Sequence, residues 1–105
     1  MTVQDFDEFE TALPHPGEII REEYMAPLKL SAGSLAKAMG LKDRTRIERL
    51  VRETGPITCD TALRLGIVFR TSPQYWMNLQ TQHDLSVAAI SSRDALAAVK
   101  ALIGV

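Results

Sequence analysis

A chain of 105 residues with 46% hydrophobic and 24% charged side chains is long enough for one packed core and too short for two, and its composition argues against a disordered polymer. It contains no run of about 18 apolar residues to cross a bilayer. The opening MTVQDFDEFE has no export-signal pattern, and the single Cys59 cannot close an internal disulfide, so a cytoplasmic protein with no membrane partner is expected. The net charge of −1 hides a polarised chain, because residues 1–24 sum to −6, residues 25–54 to +4 and the remainder to +1. A basic middle suits phosphates, and an acidic lead suits a basic partner or simply faces water.

In the acidic lead, Phe6, Phe9 and Leu13 recur at helical spacing. They predict a helix over residues 5–13 with one apolar edge, ringed by Asp5, Asp7, Glu8 and Glu10. Pro14 and Pro16 then break the chain, and residues 17–25 read as a short helix that Ala26-Pro27 ends. Ser31 is placed to cap a second helix carrying Leu35, Ala36 and Met39 on one face, with Gly40 closing it in the left-handed region. Asp43 is the expected cap of a third helix running to about Glu53, and Gly55-Pro56 stops it. Thr58 opens a fourth helix that is apolar nearly all round and therefore expected at the centre of the fold. Ser72-Pro73 opens a fifth, with Tyr75, Trp76 and Leu79 expected in the core. A last helix is expected from about Ser92, with a stripe of Ala95, Leu96, Val99, Leu102 and Ile103 available to a second copy. Strand signals are nearly absent, so the fold class is all-α.

The second and third helices, joined by a short turn at Gly40, have the spacing of a helix-turn-helix. With Ile47 taken as the inward direction and a rotation of about 100° per residue, Leu50 and Val51 turn inward while Thr45, Arg49 and Arg52 turn out. Arginine reads guanine through two parallel hydrogen bonds, and threonine offers a hydroxyl and a methyl. Lys42, Arg44, Thr45, Arg46, Arg49 and Arg52 are accordingly the candidate DNA-binding residues, with Arg49 at a base edge and Lys42 on a phosphate.

Residues 15–85 resemble the HigA antitoxins, a branch of the phage-repressor-like (Xre) helix-turn-helix proteins. The match runs from His15-Pro16-Gly17-Glu18-Ile19 through Leu35-Ala36-Lys37-Ala38-Met39-Gly40 and Ile57-Thr58 to Asp60-Thr61-Ala62-Leu63-Arg64-Leu65. It continues at Ser72, Trp76, Asn78-Leu79-Gln80 and Asp84-Leu85. The resemblance implies a five-helix, lambda-repressor-like domain, here followed by an additional C-terminal helix. It also implies a homodimer, repression of its own operon at an operator in double-stranded DNA, and neutralisation of a HigB-like RNA-cleaving toxin. The chain departs from the family at Ala32, where glutamine is frequent, in the Leu41-Lys42-Asp43 turn, which is one residue longer, and at Glu53, where glycine is frequent. The division expected is an acidic lead over 1–13, a helix-turn-helix domain over 14–86 and a helical extension over 87–105. Phe6, Glu8, Phe9 and Glu10 of the lead are the candidate toxin-binding residues, since a basic RNA-cleaving partner would be drawn to them.

Catalytic groups are scarce. His15 and His83 lie far apart in sequence, Cys59 has no neighbouring histidine, and neither a glycine-rich phosphate loop nor a nucleophile turn is present. No enzyme activity, metal or cofactor is therefore expected. Two alternatives to the antitoxin stay open: a stand-alone transcriptional regulator, and a protein-interaction module that has the fold without operator binding.

Overall fold

The computed structural model describes residues 9–104, and these form helices and connecting turns with no strand among them. The first helix, α1, occupies residues 16–28 and is a composite. Regular turns at Pro16–Ile19 and Ala26–Leu28 enclose a wider π-helical stretch at Ile20–Met25, where the Ala26 N–H reaches back to the Arg21 carbonyl. Pro27 therefore does not end the helix as its sequence position predicts. It falls in the last turn, after the ladder has already left the regular i to i+4 pattern, so its missing N–H withdraws less than it would from a regular helix interior. Lys29, at φ 55°, ends α1 in the left-handed region, with the Lys29 and Leu30 N–H groups bonded to the Ala26 and Met25 carbonyls.

The remaining helices begin where the sequence places their caps, with one exception. In α2 (Ala32–Ala38) the Ser31 hydroxyl accepts from the Ser34 N–H at 3.0 Å, and Gly40 closes the helix at φ 72°. Asp43 accepts from the Thr45 N–H at 2.9 Å, but α3 (Thr45–Val51) starts one residue later than Asp43 predicts, with Arg44 at the cap position, and ends at Val51 rather than near Glu53. Thr58 caps α4 (Cys59–Phe69), and Ser72-Pro73 opens α5 (Pro73–Ser91). The α5 helix is continuous across residue 86, where the sequence reading divides domain from extension. Its successor α6 (Arg93–Ala97) is shorter than expected. Val99, Leu102 and Ile103 lie beyond α6 and are exposed, so the anticipated stripe does not form on one helix. Past Ala98 the chain has no packed neighbour among the described residues to support another turn, and an isolated short helix is not stable by itself.

The core is built from one face of each of the first five helices. Ile20, Met25, Leu35, Ala36, Met39, Ile47, Leu50, Ala62, Leu65 and Trp76 are buried together, joined by Ile57 from the α3–α4 loop. Trp76 is fully buried, and its indole N–H donates to the Thr71 hydroxyl at 2.6 Å, which satisfies its one polar atom. Tyr24, Phe69 and Tyr75 pack around it. Gln80 is the buried amide of α5. It accepts from the Ile57 N–H at 2.6 Å and donates to Asp84 at 2.9 Å, tying the loop that follows α3 to the long helix. The α4 helix is less central than its composition predicts. Leu63 and Ile67 are 56% and 80% exposed, because α5 covers only one of its sides.

The N-terminal residues from Phe9 to His15 are not helical. They run along the distal half of α5. Leu13 donates through its N–H to the Ser86 hydroxyl and accepts at its carbonyl from His83, and the Phe9 carbonyl accepts from Arg93. With their backbone groups bonded to α5 and its successor, residues 9–13 cannot close the local hydrogen bonds of the expected helix. Phe6 and Glu8 lie outside the described residues.

Candidate nucleic-acid interface

The α3 helix is held from inside by Ile47 and Leu50, both essentially buried, with Val51 partly so. Its C-terminal carbonyls are all engaged. The Arg49 carbonyl accepts from the Thr54 and Gly55 N–H groups and the Thr54 hydroxyl, the Leu50 carbonyl from the Glu53 N–H, and the Val51 carbonyl from the Arg21 guanidinium. Glu53 makes that turn with φ 63°, a left-handed position that favours glycine, and its carboxylate pairs with Arg21 at 3.4 Å. Gly17 meets the same end of α3. A Cβ there would stand 1.8 Å from the Leu50 carbonyl oxygen, so only glycine lets α1 lie this close.

The six candidate DNA-binding residues are all exposed, yet they are not equivalent. Arg44 pairs with Glu48 one turn along the helix at 3.4 Å. Arg46 turns back to the Asp60 carboxylate and the Thr61 hydroxyl, and Asp60 also takes Arg64 at 2.9 Å. Arg64 in turn donates to the Met39 carbonyl at 2.7 Å. This chain of charged groups joins the end of α2, the start of α3 and the first turns of α4. The two arginines, Arg46 first, lower the Asp60 pKa below the ordinary carboxylate range. Lys42, Arg49 and Arg52 make no ion pair among the described residues.

Arg49, Arg46 and Thr45 share an open hollow with Asp43, Thr54, Gly55, Pro56, Thr58 and Thr61. Lys42 and Arg44 line a second hollow with Lys37 and Gly33. The hydroxyls of Thr54 and Thr58 beside Arg49 are not legible as site groups from sequence, where Thr54 reads as a turn residue and Thr58 as a helix cap. The Asp60–Arg64 spacing of four residues was a visible signal of a helix-face pair. Gly55 sits against Arg49 so closely that a Cβ there would lie 3.2 Å from the arginine's own Cβ. Of the candidate toxin-binding residues, Glu10 is exposed and Phe9 is only 6% exposed. The Phe9 ring is thus committed to the protein itself rather than offered to a partner.

Among the described residues no three histidine, cysteine, aspartate or glutamate side chains converge to hold a metal ion, and no helix is long and apolar enough to cross a membrane. No family model matches the chain. It is 53% identical over 74 residues to virulence-associated protein I of Dichelobacter nodosus, covering 70% of this chain and 68% of that protein. Among solved structures it resembles the Pseudomonas aeruginosa antitoxin HigA with the higBA promoter, at 35% identity and a TM-score of 0.80, over 86% of this chain and 98% of that one. It also resembles antitoxin GraA in complex with its operator, at 35% identity and a TM-score of 0.84, over 98% of this chain and all of the other. With two short helices joined by a turn at Gly40 and both antitoxin chains covered almost end to end, the protein belongs to the HigA antitoxin family of helix-turn-helix proteins.

Proposed function

We propose that the protein is the operator-binding antitoxin of a type II toxin–antitoxin pair. As a homodimer it holds double-stranded DNA through α3 and represses its own operon, and through a surface outside α3 it neutralises a HigB-like RNA-cleaving toxin. The observation that carries the reading is the sorting of charges on and beside α3. Arg44 and Arg46 are paired within the protein, while Arg49 and Arg52 stay exposed on a helix whose opposite side is buried. Arg49 reads a base edge, Lys42 and Arg52 hold phosphates, and Arg46 fixes the helix against α4. The likeness to antitoxins in complex with promoter and operator DNA supports the same use of the fold here. The exposed Glu10 of the lead, in a segment whose sequence is acidic, supplies charge that suits a basic toxin.

The test is a titration of the parent, Arg49→Ala and Lys42→Ala proteins against the DNA upstream of the gene and against a scrambled duplex, at several salt concentrations. Arg49→Ala should cost about 1–3 kcal/mol per half-site and relax selectivity at one base position. Lys42→Ala should weaken both duplexes alike and reduce the salt slope by about one per half-site. If Arg49→Ala binds as tightly and selectively as the parent, α3 is not the reading head. Co-purification of the chain with the product of the neighbouring gene tests the toxin half of the proposal.

A further inference from the structure

His15 opens the stretch that resembles the HigA antitoxins, yet the DNA-reading role of α3 makes no direct use of it. It is buried, and its ring sits at a junction of three parts of the molecule. Its Nδ1 accepts from the Gly17 N–H at 2.9 Å and so caps α1. The ring also faces the backbone of Gly55, in the turn that follows α3. On its other side it meets the His83 ring edge-on, with centroids 5.0 Å apart. His83 itself donates from Nδ1 to the Leu13 carbonyl at 2.7 Å, which fixes the N-terminal arm just before His15.

Through Gly17 the ring bears on the Leu50 carbonyl, and through Gly55 on the residue that packs against Arg49. We propose that His15 is a positioning residue for α3: its neutral ring, steadied by His83 and the N-terminal arm, holds the C-terminal end of α3, and protonation of the ring releases that hold. The inference rests on the DNA-reading role of α3 proposed above.

An imidazole nitrogen that accepts a hydrogen bond must be unprotonated. A proton added at Nδ1 would face the Gly17 N–H donor to donor and place a cation at the positive end of a helix. The groups facing the ring are His83 and Asp84 from α5, Glu53 from the turn after α3, and the Gly17 and Gly55 backbones. Burial first, and then His83, lower the pKa of His15 below the ordinary imidazole value, against the opposing pull of Glu53, Asp84 and Gly55. A histidine whose folded pKa is lowered contributes stability that is present above its unfolded pKa. That contribution is lost as the pH falls from there through the folded pKa. The direction for DNA is distinctive, because protonating histidines elsewhere adds positive charge and strengthens binding to phosphates. Release of α3 weakens it.

The experiment measures operator affinity of the full chain at constant ionic strength from about pH 7.5 down to about pH 5.5, across the ordinary imidazole range. The parent is compared with His15→Asn, which keeps a side-chain acceptor for Gly17 but does not titrate, and with His83→Gln, which removes the second ring. In the parent, affinity falls several-fold toward acid. In His15→Asn the fall disappears, and in His83→Gln it begins at higher pH, since the like charge opposing protonation of His15 is gone. A second measurement follows the backbone amides of Gly17 and residues 50–55 in the isotope-labelled, DNA-free chain. They should shift along the His15 titration. A parent whose affinity stays level or rises toward acid overturns the proposal, as does a His15→Asn protein that keeps the fall. Amides of residues 50–55 that ignore the titration overturn it equally. Absence of operator binding even at neutral pH would instead overturn the DNA-reading role of α3, and the amide shifts would then decide the fate of the His15 junction.

Discussion

The junction of α1 with α3 and the C-terminal end of the described residues are held in opposite ways. Where α1 meets the end of α3, the partners are specified: Gly17 against the Leu50 carbonyl, Arg21 on Val51 and Glu53, and His15 on Gly17. At the C-terminal end, Val99, Leu102 and Ile103 are 71%, 99% and 87% exposed and have no helix to share. Both regions are rich in apolar residues. The difference lies in whether backbone groups find fixed partners, and hydrophobic spacing alone does not supply that.

The largest effect in this comparison belongs to Gly17→Ala. A methyl group 1.8 Å from a backbone oxygen cannot be accommodated by a side-chain shift, so α1 must separate from α3. Chemical denaturation should report a loss of about 3 kcal/mol, the upper part of the range for overpacking. A loss below about 1 kcal/mol would show the junction to be as loose as the C-terminal end. Next in size is Gln80→Ala, which leaves the buried Ile57 N–H without its acceptor. The expected loss is about 1–3 kcal/mol, with hydrogen exchange accelerated at Ile57 before the rest of the core. The smallest effect is expected from removing residues 98–105. In dilute solution, where any dimer has dissociated, thermal unfolding should change by no more than about 0.5 kcal/mol. If the same truncation lowers stability only at concentrations where sedimentation shows a dimer, the exposed tail is covered by a second copy, and the contrast between the two regions belongs to the monomer alone.

The legible parts of the fold were those with a local signature. Ser31, Thr58 and Ser72 cap as their spacing predicts, Gly40 takes a left-handed turn, and Ile47 and Leu50 face inward. What sequence missed depends on neighbours in space. Nothing near Arg46 in the chain announces that Asp60 will claim it, and nothing near His15 announces His83. Leu63 and Ile67 look like core residues because composition records hydrophobicity without recording which side of α4 the next helix covers. The expected helix over residues 5–13 failed over its described part for the same reason. Spacing favoured a helix, but hydrogen bonds to Ser86, His83 and Arg93 drew the backbone out along α5.

The wide turn in α1 bears on how this chain can change length. A π-helical stretch is a regular helix carrying an extra residue. Losing one residue within Ile20–Met25 would return the ladder to its ordinary spacing, with the Gly17 side and the Lys29 side still facing the same way. The same loss in the middle of α5 would swing everything beyond it by about 100° and turn Ser86 and Ala89 out of the protein. The first helix is therefore a place in this fold where the loss of one residue would leave the helices on either side in register.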